Sequence, residues 1–324
     1  MMKKTLMIGC ILCMLLLSGC SMPSSSGTEE FDDFIVVGFS QVGAESDWRN
    51  ANTRSMQAAL SEANGYRLII DDAQQKQERQ ITAIRNFIHQ GVDYIILAPT
   101  TEKGWETVLL EAKAADIPVI IVDRMIESED NSLFTSWIGS DFRREGDTAV
   151  AWMQQHFGTS PLRIVHLQGN IGSSAQIGRT AGLDEGLKNN PHWELVYRDS
   201  GDFTQAKGQE LVEDLLADNI SFNVIFAEND NMAYGAIDAL KNAGLVPGKD
   251  VSIISFDANR AALEMVLASE IAYDVECNPL HGPRVQAIIE KLEKNAATPK
   301  LTYVEESAFD IDNTSREMIE SRGY

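Results

Sequence analysis

The chain alternates between short runs rich in isoleucine, valine and leucine and longer stretches with helical periodicity. This alternation constrains the fold more than any other feature of the sequence. The runs lie at residues 34–39, 66–70, 94–98, 119–122, 162–168, 194–197, 224–227 and 251–256. Several are nearly continuous in apolar residues, which is typical of parallel strands covered on both faces. The sequence therefore predicts an α/β protein.

The stretches between these runs carry apolar residues three or four positions apart. Ile81, Ile84 and Ile88 form one such stripe, and Gly91 follows it as a predicted C-terminal helix cap. Short connections between strands and helices favour right-handed crossovers, which place helices on both sides of a parallel sheet. We therefore expect doubly wound parallel sheets.

The series of strands starts twice, near Phe34 and again near Leu162. This restart predicts two lobes instead of one very wide sheet, with the join around residues 140–143. Two later runs, at 271–275 and 301–304, are too short to form a domain, so we interpret them as hinge crossovers beside a cleft. The predicted boundaries are 34–140 plus 276–304 for the N-terminal lobe and 141–275 plus 305–324 for the C-terminal lobe.

The first twenty residues have the layout of an export signal. A positively charged start precedes an apolar run at 5–17, which is too short to span a bilayer comfortably as a mature helix. The sequence Leu-Ser-Gly-Cys at 17–20 is similar to a bacterial lipobox. We predict a signal peptide at 1–19 and lipidation at Cys20; an ordinary signal peptide or an uncleaved anchor helix is the alternative.

Residues 20–33 are small and polar and lack apolar periodicity, which predicts a flexible tether. Several acyl chains on one cysteine hold a protein firmly at a bilayer. The expected location is therefore extracytoplasmic, with the chain anchored to the cell membrane as a lipoprotein.

The net charge of −21, from 48 acidic and 27 basic residues, narrows the classes of partner. Nucleic acid needs a basic face to neutralise its phosphates, so nucleic acid is not expected as a partner. Broad electrostatic adhesion to anionic lipid is disfavoured for the same reason. A neutral ligand is compatible with this charge.

Four cysteines are present, and their positions leave one of them without a possible disulfide partner. Cys10 and Cys13 fall in the predicted signal, and Cys20 is the predicted lipid site. Cys277 then has no partner, so no intramolecular disulfide is expected in the mature chain.

Polar and aromatic side chains follow successive predicted strands. Open parallel sheets bind ligands beyond the carboxyl ends of their strands, so these residues are candidates for a site. They are Glu45, Trp48 and Arg49 after the first strand, Asp123 and Arg124 after the fourth, Arg179 after the fifth, Phe203 after the sixth, Asn229 after the seventh and Asp257 after the eighth.

This combination of side chains suits a neutral polyol. Carboxylates accept paired hydrogen bonds from adjacent hydroxyls, guanidinium groups donate them, and an amide does both. Aromatic faces pack against the C–H patches of a sugar. Some of these residues could instead have a purely structural role. Asp123 and Arg124 could form a surface pair, Asn229 could be a helix N-cap, and Trp48 and Phe203 could belong to the core. Their shared placement after the strands carries the interpretation.

Other chemistries find little support in the sequence. The loop from Gly169 is neither a dinucleotide nor a phosphate loop, and no Gly-x-Ser-x-Gly motif appears. Cys277 and His281 lie four positions apart without a second pair, so no metal site is predicted. No cofactor is predicted either. Paired carboxylates facing a sugar leave a glycosidase open as an alternative.

Several motifs resemble the periplasmic galactofuranose-binding proteins of the ribose-binding-like, type I periplasmic binding family. The resemblance covers about residues 36–283. Its motifs are Val37–Gly43 with Trp48 and Arg49, Gln74–Glu78, Asp123 with Arg124, Ser200–Thr204 and Asn229 with Asp230. At Ala258 the chain departs from the glycine of many relatives, so the local turn is expected to differ.

The resemblance implies a two-lobed protein that closes on one monosaccharide, docks to an ABC-type permease and performs no catalysis. We expect a monomer. A sugar sensor that passes its closed state to a receptor kinase or chemoreceptor is the alternative role. By position the ligand contacts are Trp48, Arg49, Asp123, Arg124, Arg179, Asn229 and Asp257, with Glu45, Asp72, Phe203 and Glu276 as neighbours. The sugar is expected to be galactofuranose-like; arabinose, ribose, galactose and short oligosaccharides stay open.

Overall fold

The computed structural model describes residues 34–324. They form two β-sheets, each of which is packed against α-helices. The strands are β1 Ile35–Gln41, β2 Tyr66–Asp72, β3 Tyr94–Leu97, β4 Val119–Val122, β5 Ser136–Gly139, β6 Leu162–Gln168, β7 Trp193–Ser200, β8 Val224–Ala227, β9 Ser252–Asp257, β10 Tyr273–Glu276, β11 Leu301–Tyr303 and β12 Ala308–Phe309. The helices are α1 Asp47–Ala59, α2 Gln77–Gln90, α3 Glu106–Ala114, α4 Phe142–Phe157, α5 Ser174–Asn189, α6 Gln205–Ala217, α7 Asp230–Asn242, α8 Arg260–Leu267, α9 Gly282–Glu293 and α10 Arg316–Ser321. The predicted signal peptide, the lipidation at Cys20 and the tether lie outside the described residues.

The strands form two six-stranded sheets. The first has the order β11-β5-β4-β3-β1-β2 and the second the order β12-β10-β9-β8-β6-β7. Every pairing is parallel except that of β10 with β12. We call the first sheet with α1–α3 and α9 the first lobe, and the second sheet with α4–α8 and α10 the second lobe. The predicted fold class of two doubly wound lobes is confirmed.

The chain passes between the lobes three times, after β5, after β10 and after β11. The first crossover leads into α4, which packs on α5, and the second leads into α9, which packs on α1. The third joins β11 of the first sheet to β12 of the second. Glu276 ends β10 in the second sheet, so the sequence-based boundary at 276 falls one residue too early.

Apolar side chains cover both faces of each sheet. In β3, Ile96 packs with Phe39 on one face, while Ile95 and Leu97 pack with Ile121 on the other. Full burial of each such side chain stabilises the fold by roughly 1.5–3 kcal/mol. Among residues 34–324 no helix is long and apolar enough to cross a membrane.

Candidate functional site

Residues that follow the strands of both sheets line one cavity with about 300 Å³ of atom-free space. The first lobe contributes Glu45, Ser46, Trp48, Arg49, Asp123 and Arg124; the second contributes Phe142, Ala175, Arg179, Phe203, Asn229 and Asp257; and the crossover between them contributes Cys277.

The start of α1 positions two of these side chains. The hydroxyl of Ser46 accepts a hydrogen bond from the backbone N–H of Arg49 and so caps the helix. Trp48 and Arg49 therefore sit in the first turn, beside the cavity. The indole Nε1–H of Trp48 donates to the backbone oxygen of Cys277 at 2.6 Å, which fixes the ring against the crossover.

An ion-pair network in the first lobe joins residues that are distant in sequence. Arg49 donates from Nη2 to Oδ2 of Asp123 at 2.8 Å and from Nε to Oε1 of Glu45 at 3.3 Å. Burial opposes the charged form of Arg49, but the neighbouring carboxylates outweigh this effect and raise its pKa. Oε2 of Glu45 is buried without a hydrogen-bond partner among the described residues, so the network leaves an acceptor for a ligand.

Arg124 lies between the two lobes. It donates from Nη1 to the backbone oxygen of Thr100 at 3.1 Å and from Nη2 to Oδ1 of Asn170 at 3.4 Å. Its guanidinium carbon lies 5.2 Å from the centre of the Phe203 ring, a cation–π distance. Burial and the charge of Arg49 lower its pKa to about 10, so it stays a cation at neutral pH.

Arg179 is the corresponding cation of the second lobe. It donates from Nε to Oε2 of Glu145 at 2.7 Å and lies 3.8 Å from Oδ1 of Asp257. Burial and the charge of Asp230 raise the pKa of Asp257 well above its ordinary value. Three carboxyl and three guanidinium groups therefore line the cavity, and each lobe supplies groups of both kinds.

Asn229 is the N-cap of α7, since its Oδ1 accepts from the backbone N–H of Met232. The alternative interpretation of Asn229 from the sequence, as a helix N-cap, is therefore confirmed. Its Nδ2 donates to the backbone oxygen of Phe203 at 3.1 Å, and the amide group has a second hydrogen available. One side chain thus caps a helix and still lines the cavity.

Three lining residues have left-handed backbone conformations. The φ angles are 64° at Asp123, 60° at Phe203 and 113° at Asp257. Such angles are uncommon for residues other than glycine, and they cluster at functional sites. At Ala258 φ is 51°, so this alanine adopts the conformation that glycine favours.

The mouth of the cleft is closed by contacts between the lobes. Oδ1 of Asn231 accepts from the backbone N–H of Asp47 at 3.0 Å, and its Nδ2 donates to Oδ2 of Asp47 at 3.2 Å. Asn170 donates to Oε1 of Gln75 at 2.6 Å. These hydrogen bonds hold the lobes together on the cavity side.

Two residues of the predicted set do not line this cavity. Asp72 is exposed at the end of β2, the edge strand of the first sheet, and accepts from the backbone N–H of Gln74. Glu276 binds Arg322 at 3.0 Å and the hydroxyl of Tyr324 at 2.6 Å. Because neighbouring residues of a strand point to opposite sides, the position after Glu276 is the one that reaches the cavity.

The sequence reasoning missed Ser46, Phe142, Ala175 and Cys277. Cys277 directly follows β10, so the rule that selected the other candidates also applies to it once that strand is placed correctly. Phe142 begins α4 just after the first crossover, and the ring lies 5.4 Å from the guanidinium carbon of Arg179. Neither Ser46 nor Ala175 carries a comparable sequence signal.

Residues 37–281 match the family described as periplasmic binding protein domain. The chain belongs to this family. Relatives of known name or structure match the chain over most of their length.

Galactofuranose-binding protein YtfQ of Escherichia coli (strain K12) is 40% identical over 292 residues, which cover 89% of this chain and 91% of that protein. The periplasmic binding protein of the arabinose ABC transporter from Shewanella sp. ANA-3, solved with α- and β-L-arabinofuranose, is 40% identical with a TM-score of 0.83, covering 89% of this chain and 95% of that chain. A Mycobacterium smegmatis protein solved with β-D-fucofuranose is 39% identical with a TM-score of 0.83, covering 86% and 92%. The resemblance to the galactofuranose-binding proteins of the type I family is confirmed.

Proposed function

We propose that this chain is the extracytoplasmic sugar-binding component of an ABC-type importer and that it binds one monosaccharide in the furanose form. The observation that carries the proposal is the cavity between the lobes, lined by three carboxyl groups, three guanidinium groups and aromatic rings. Both lobes must be in place to complete it. This arrangement suits a small neutral ligand with several hydroxyl groups.

Specific atoms in the cavity lack partners that a sugar would supply. Oε2 of Glu45 is buried and accepts no hydrogen bond from the described residues. An unpaired buried carboxylate oxygen costs free energy, and a sugar hydroxyl relieves that cost by donating to it. Arg49 and Asn229 each keep further N–H donors for sugar oxygens. The Trp48 ring offers an apolar face for the C–H patch of the sugar.

The furanose form is proposed from the relatives. The Escherichia coli protein is named for galactofuranose, and the two solved relatives hold arabinofuranose and fucofuranose. These sugars differ in their substituents but share a five-membered ring. We therefore propose that the cavity selects ring form, while the exocyclic groups decide which sugar is preferred.

Binding is proposed to work by closure about the three crossovers. An open form admits the sugar, which then gains contacts to both lobes when they meet. The sugar shifts the equilibrium because it binds the closed form better than the open form. The closed form would be the one that a permease recognises, and the chain releases the sugar without chemical change.

Lipidation at Cys20 is proposed to anchor the protein to the cell membrane through the tether at 20–33. The lipobox-like sequence supports this proposal. We propose that the folded body acts as a monomer beside its permease, without a cofactor.

The experiment is a thermal-shift screen of the purified chain against D-galactose, L-arabinose, D-fucose, D-ribose and D-glucose. Ligand at about a hundred times its Kd stabilises the native state by roughly 2.7 kcal/mol. We expect a clear shift with at least one of these sugars. The shift should be lost in Asp123→Asn and kept in Asp72→Asn, the matched exposed control. No shift with any sugar, or an equal shift in Asp123→Asn, would overturn the proposal.

A further inference from the structure

The three crossovers between the lobes meet at one cluster of polar side chains, which we call the hinge cluster: Glu145, Cys277, Glu306 and Ser140. Ser140 lies in the first crossover, Cys277 in the second and Glu306 in the third, while Glu145 stands in the first turn of α4. The hydroxyl of Ser140 donates to Oε1 of Glu306 at 2.6 Å and lies 3.4 Å from Sγ of Cys277.

Three atoms of the hinge cluster are arranged like the donors of a metal site. One carboxylate oxygen of Glu145, Sγ of Cys277 and one carboxylate oxygen of Glu306 all lie within 4.8 Å of one another. Around a tetrahedral Zn²⁺, with bonds of about 2.0 Å to oxygen and 2.3 Å to sulfur, such atoms stand about 3.3–3.5 Å apart. The distance between any two of these atoms would have to shorten by at most about 1.5 Å to reach that spacing, which side-chain rotation can provide.

A second observation points to a missing partner at this position. Glu145 is 3% exposed, and its Oε1 is buried without a hydrogen-bond partner among the described residues. Its other oxygen accepts from Arg179, which balances the charge of the group but gives no hydrogen bond to Oε1. Unpaired buried carboxylate oxygens are costly and are usually resolved by a proton, a donor or a metal ion.

Access from solvent and the types of ligand atom also favour a cation. Glu145 and Glu306 line an open cavity outside the hinge, so an ion can reach them from solvent. The lining of that cavity contains four carboxyl groups and one guanidinium group, those of Asp141, Glu145, Glu276, Glu306 and Arg144. Glu145 and Glu276 are also paired with Arg179 and Arg322. A thiolate with carboxylates selects a thiophilic divalent ion such as Zn²⁺ over Mg²⁺ or Ca²⁺, which prefer oxygen ligands alone.

We propose that Glu145, Cys277 and Glu306 bind a thiophilic divalent cation of the Zn²⁺ class at the hinge, with water from the outer cavity as a fourth ligand. Binding forms a bond from the metal to Sγ of Cys277, and the thiol proton leaves to solvent. The bound ion joins the first turn of α4, which follows the first crossover, to the second and third crossovers, so it restricts the relative movement of these segments. His281 is not part of this ligand set, since the ligand atoms found together are those of Glu145, Cys277 and Glu306.

A consequence for ligand binding follows, and it rests on the proposed function. Cys277 lines the central cavity as well as the hinge cluster, and Arg179 contacts both Glu145 and Asp257. Metal and sugar are therefore expected to change each other's affinity by the same factor. The test of the metal site itself needs no sugar, so the two proposals fail separately.

The test is a titration of the reduced, purified chain with CoCl₂, followed by the sulfur-to-cobalt charge-transfer absorption. We expect one Co²⁺ per chain with this absorption, and displacement of Co²⁺ by ZnCl₂. Cys277→Ser should abolish the absorption. Glu306→Gln should weaken Co²⁺ binding by about tenfold or more, whereas Glu305→Gln, an exposed neighbour, should leave it unchanged.

Controls separate this site from the other cysteines. The triple variant Cys10→Ser, Cys13→Ser, Cys20→Ser should keep the absorption, since none of these residues belongs to the hinge cluster. Circular dichroism of each variant checks folding, and Glu306→Gln decides the outcome if Cys277→Ser fails to fold. Absence of the absorption, its survival in Cys277→Ser, or equal Co²⁺ affinity in Glu306→Gln would overturn the proposal.

Discussion

Nη2 of Arg49 donates to Oδ2 of Asp123 at 2.8 Å, although the two residues are 74 positions apart and both side chains are almost fully buried. The pair joins the first turn of α1 to the end of β4 and stands in the wall of the central cavity. A buried pair of this kind contributes little net stability over an apolar pair, but removal of one partner leaves the other charge uncompensated.

Asp123→Ala is therefore expected to destabilise the fold by about 3 kcal/mol. The measurement is urea denaturation followed by circular dichroism. The exposed pair of Arg85 with Glu111 has the same 2.8 Å distance, so Glu111→Ala is the matched control and should change stability little. Equal losses in the two variants would contradict the role given to burial.

Gly169→Ala should displace the Phe203 ring from the cavity wall. A Cβ atom at Gly169 would lie 1.8 Å from Cζ of Phe203, which no contact distance allows. We expect sugar affinity to fall by about tenfold, as measured by calorimetry. Gly323→Ala, where a Cβ meets nothing within 4 Å, is the control, and a Gly169→Ala protein with unchanged affinity would refute the placement of Phe203.

Asn229→Asp separates the capping role of this residue from its proposed ligand role. Aspartate caps helices about as well as asparagine, but it loses the hydrogen bond from Nδ2 to the backbone oxygen of Phe203, so the melting temperature without sugar should fall. The substitution removes both N–H donors of the amide, so sugar affinity should fall. Asn229→Ala should instead lower stability by about 1 kcal/mol. Unchanged sugar affinity in Asn229→Asp would argue against a ligand contact.

His281 makes the fold sensitive to acid. Burial lowers its pKa from 6.5 to about 4, while the charge of Asp123 acts in the opposite direction and those of Arg284 and Arg49 act with burial. The unfolded chain binds the extra proton first, so this contribution to stability is present above pH 6.5 and is lost as pH falls towards 4.

The measurement is the free energy of unfolding of the wild type and of His281→Gln between pH 7 and pH 4. The difference between the two curves should shrink on the acid side, because only the wild type loses the histidine contribution. Asp257, Asp230 and Asp274 have raised pKa values and act in the opposite direction, so only the difference isolates His281. His89→Gln at an exposed position is the control; identical pH profiles for wild type and His281→Gln would contradict the prediction.

The parallel strands could be predicted from sequence because burial on both faces makes them continuously apolar. β4, Val119–Val122, and β8, Val224–Ala227, were predicted with the bounds that the structure has. β5 was missed because Ser136 and Gly139 flank only two large apolar residues. The two residues of β12 were missed because pairing with Asp274 and Val275 defines that strand, and such pairing is not visible in local sequence.

The cavity could be predicted to the extent that its residues follow parallel strands. Asp123 and Asp257 come directly after or at the end of a strand, and the structure brings them to one cavity. Asp72 also lies at the end of a strand, but that strand, β2, is at the edge of the first sheet and away from the cavity. The order of strands in a sheet cannot be read from the local sequence. The hinge cluster could not be predicted from the sequence, because Glu145 in α4 and Cys277 and Glu306 in two separate crossovers are far apart along the chain.

The measurement that tests the central claim most directly is the anomeric ¹³C NMR signal of a sugar bound to the purified chain. D-galactose, L-arabinose and D-fucose, each labelled at C1, are added in turn. We predict that at least one binds with one molecule per chain and that its bound signal is that of a furanose ring, although the pyranose form dominates in water. A bound pyranose signal, or no binding of any of the three by the folded chain, would contradict the account.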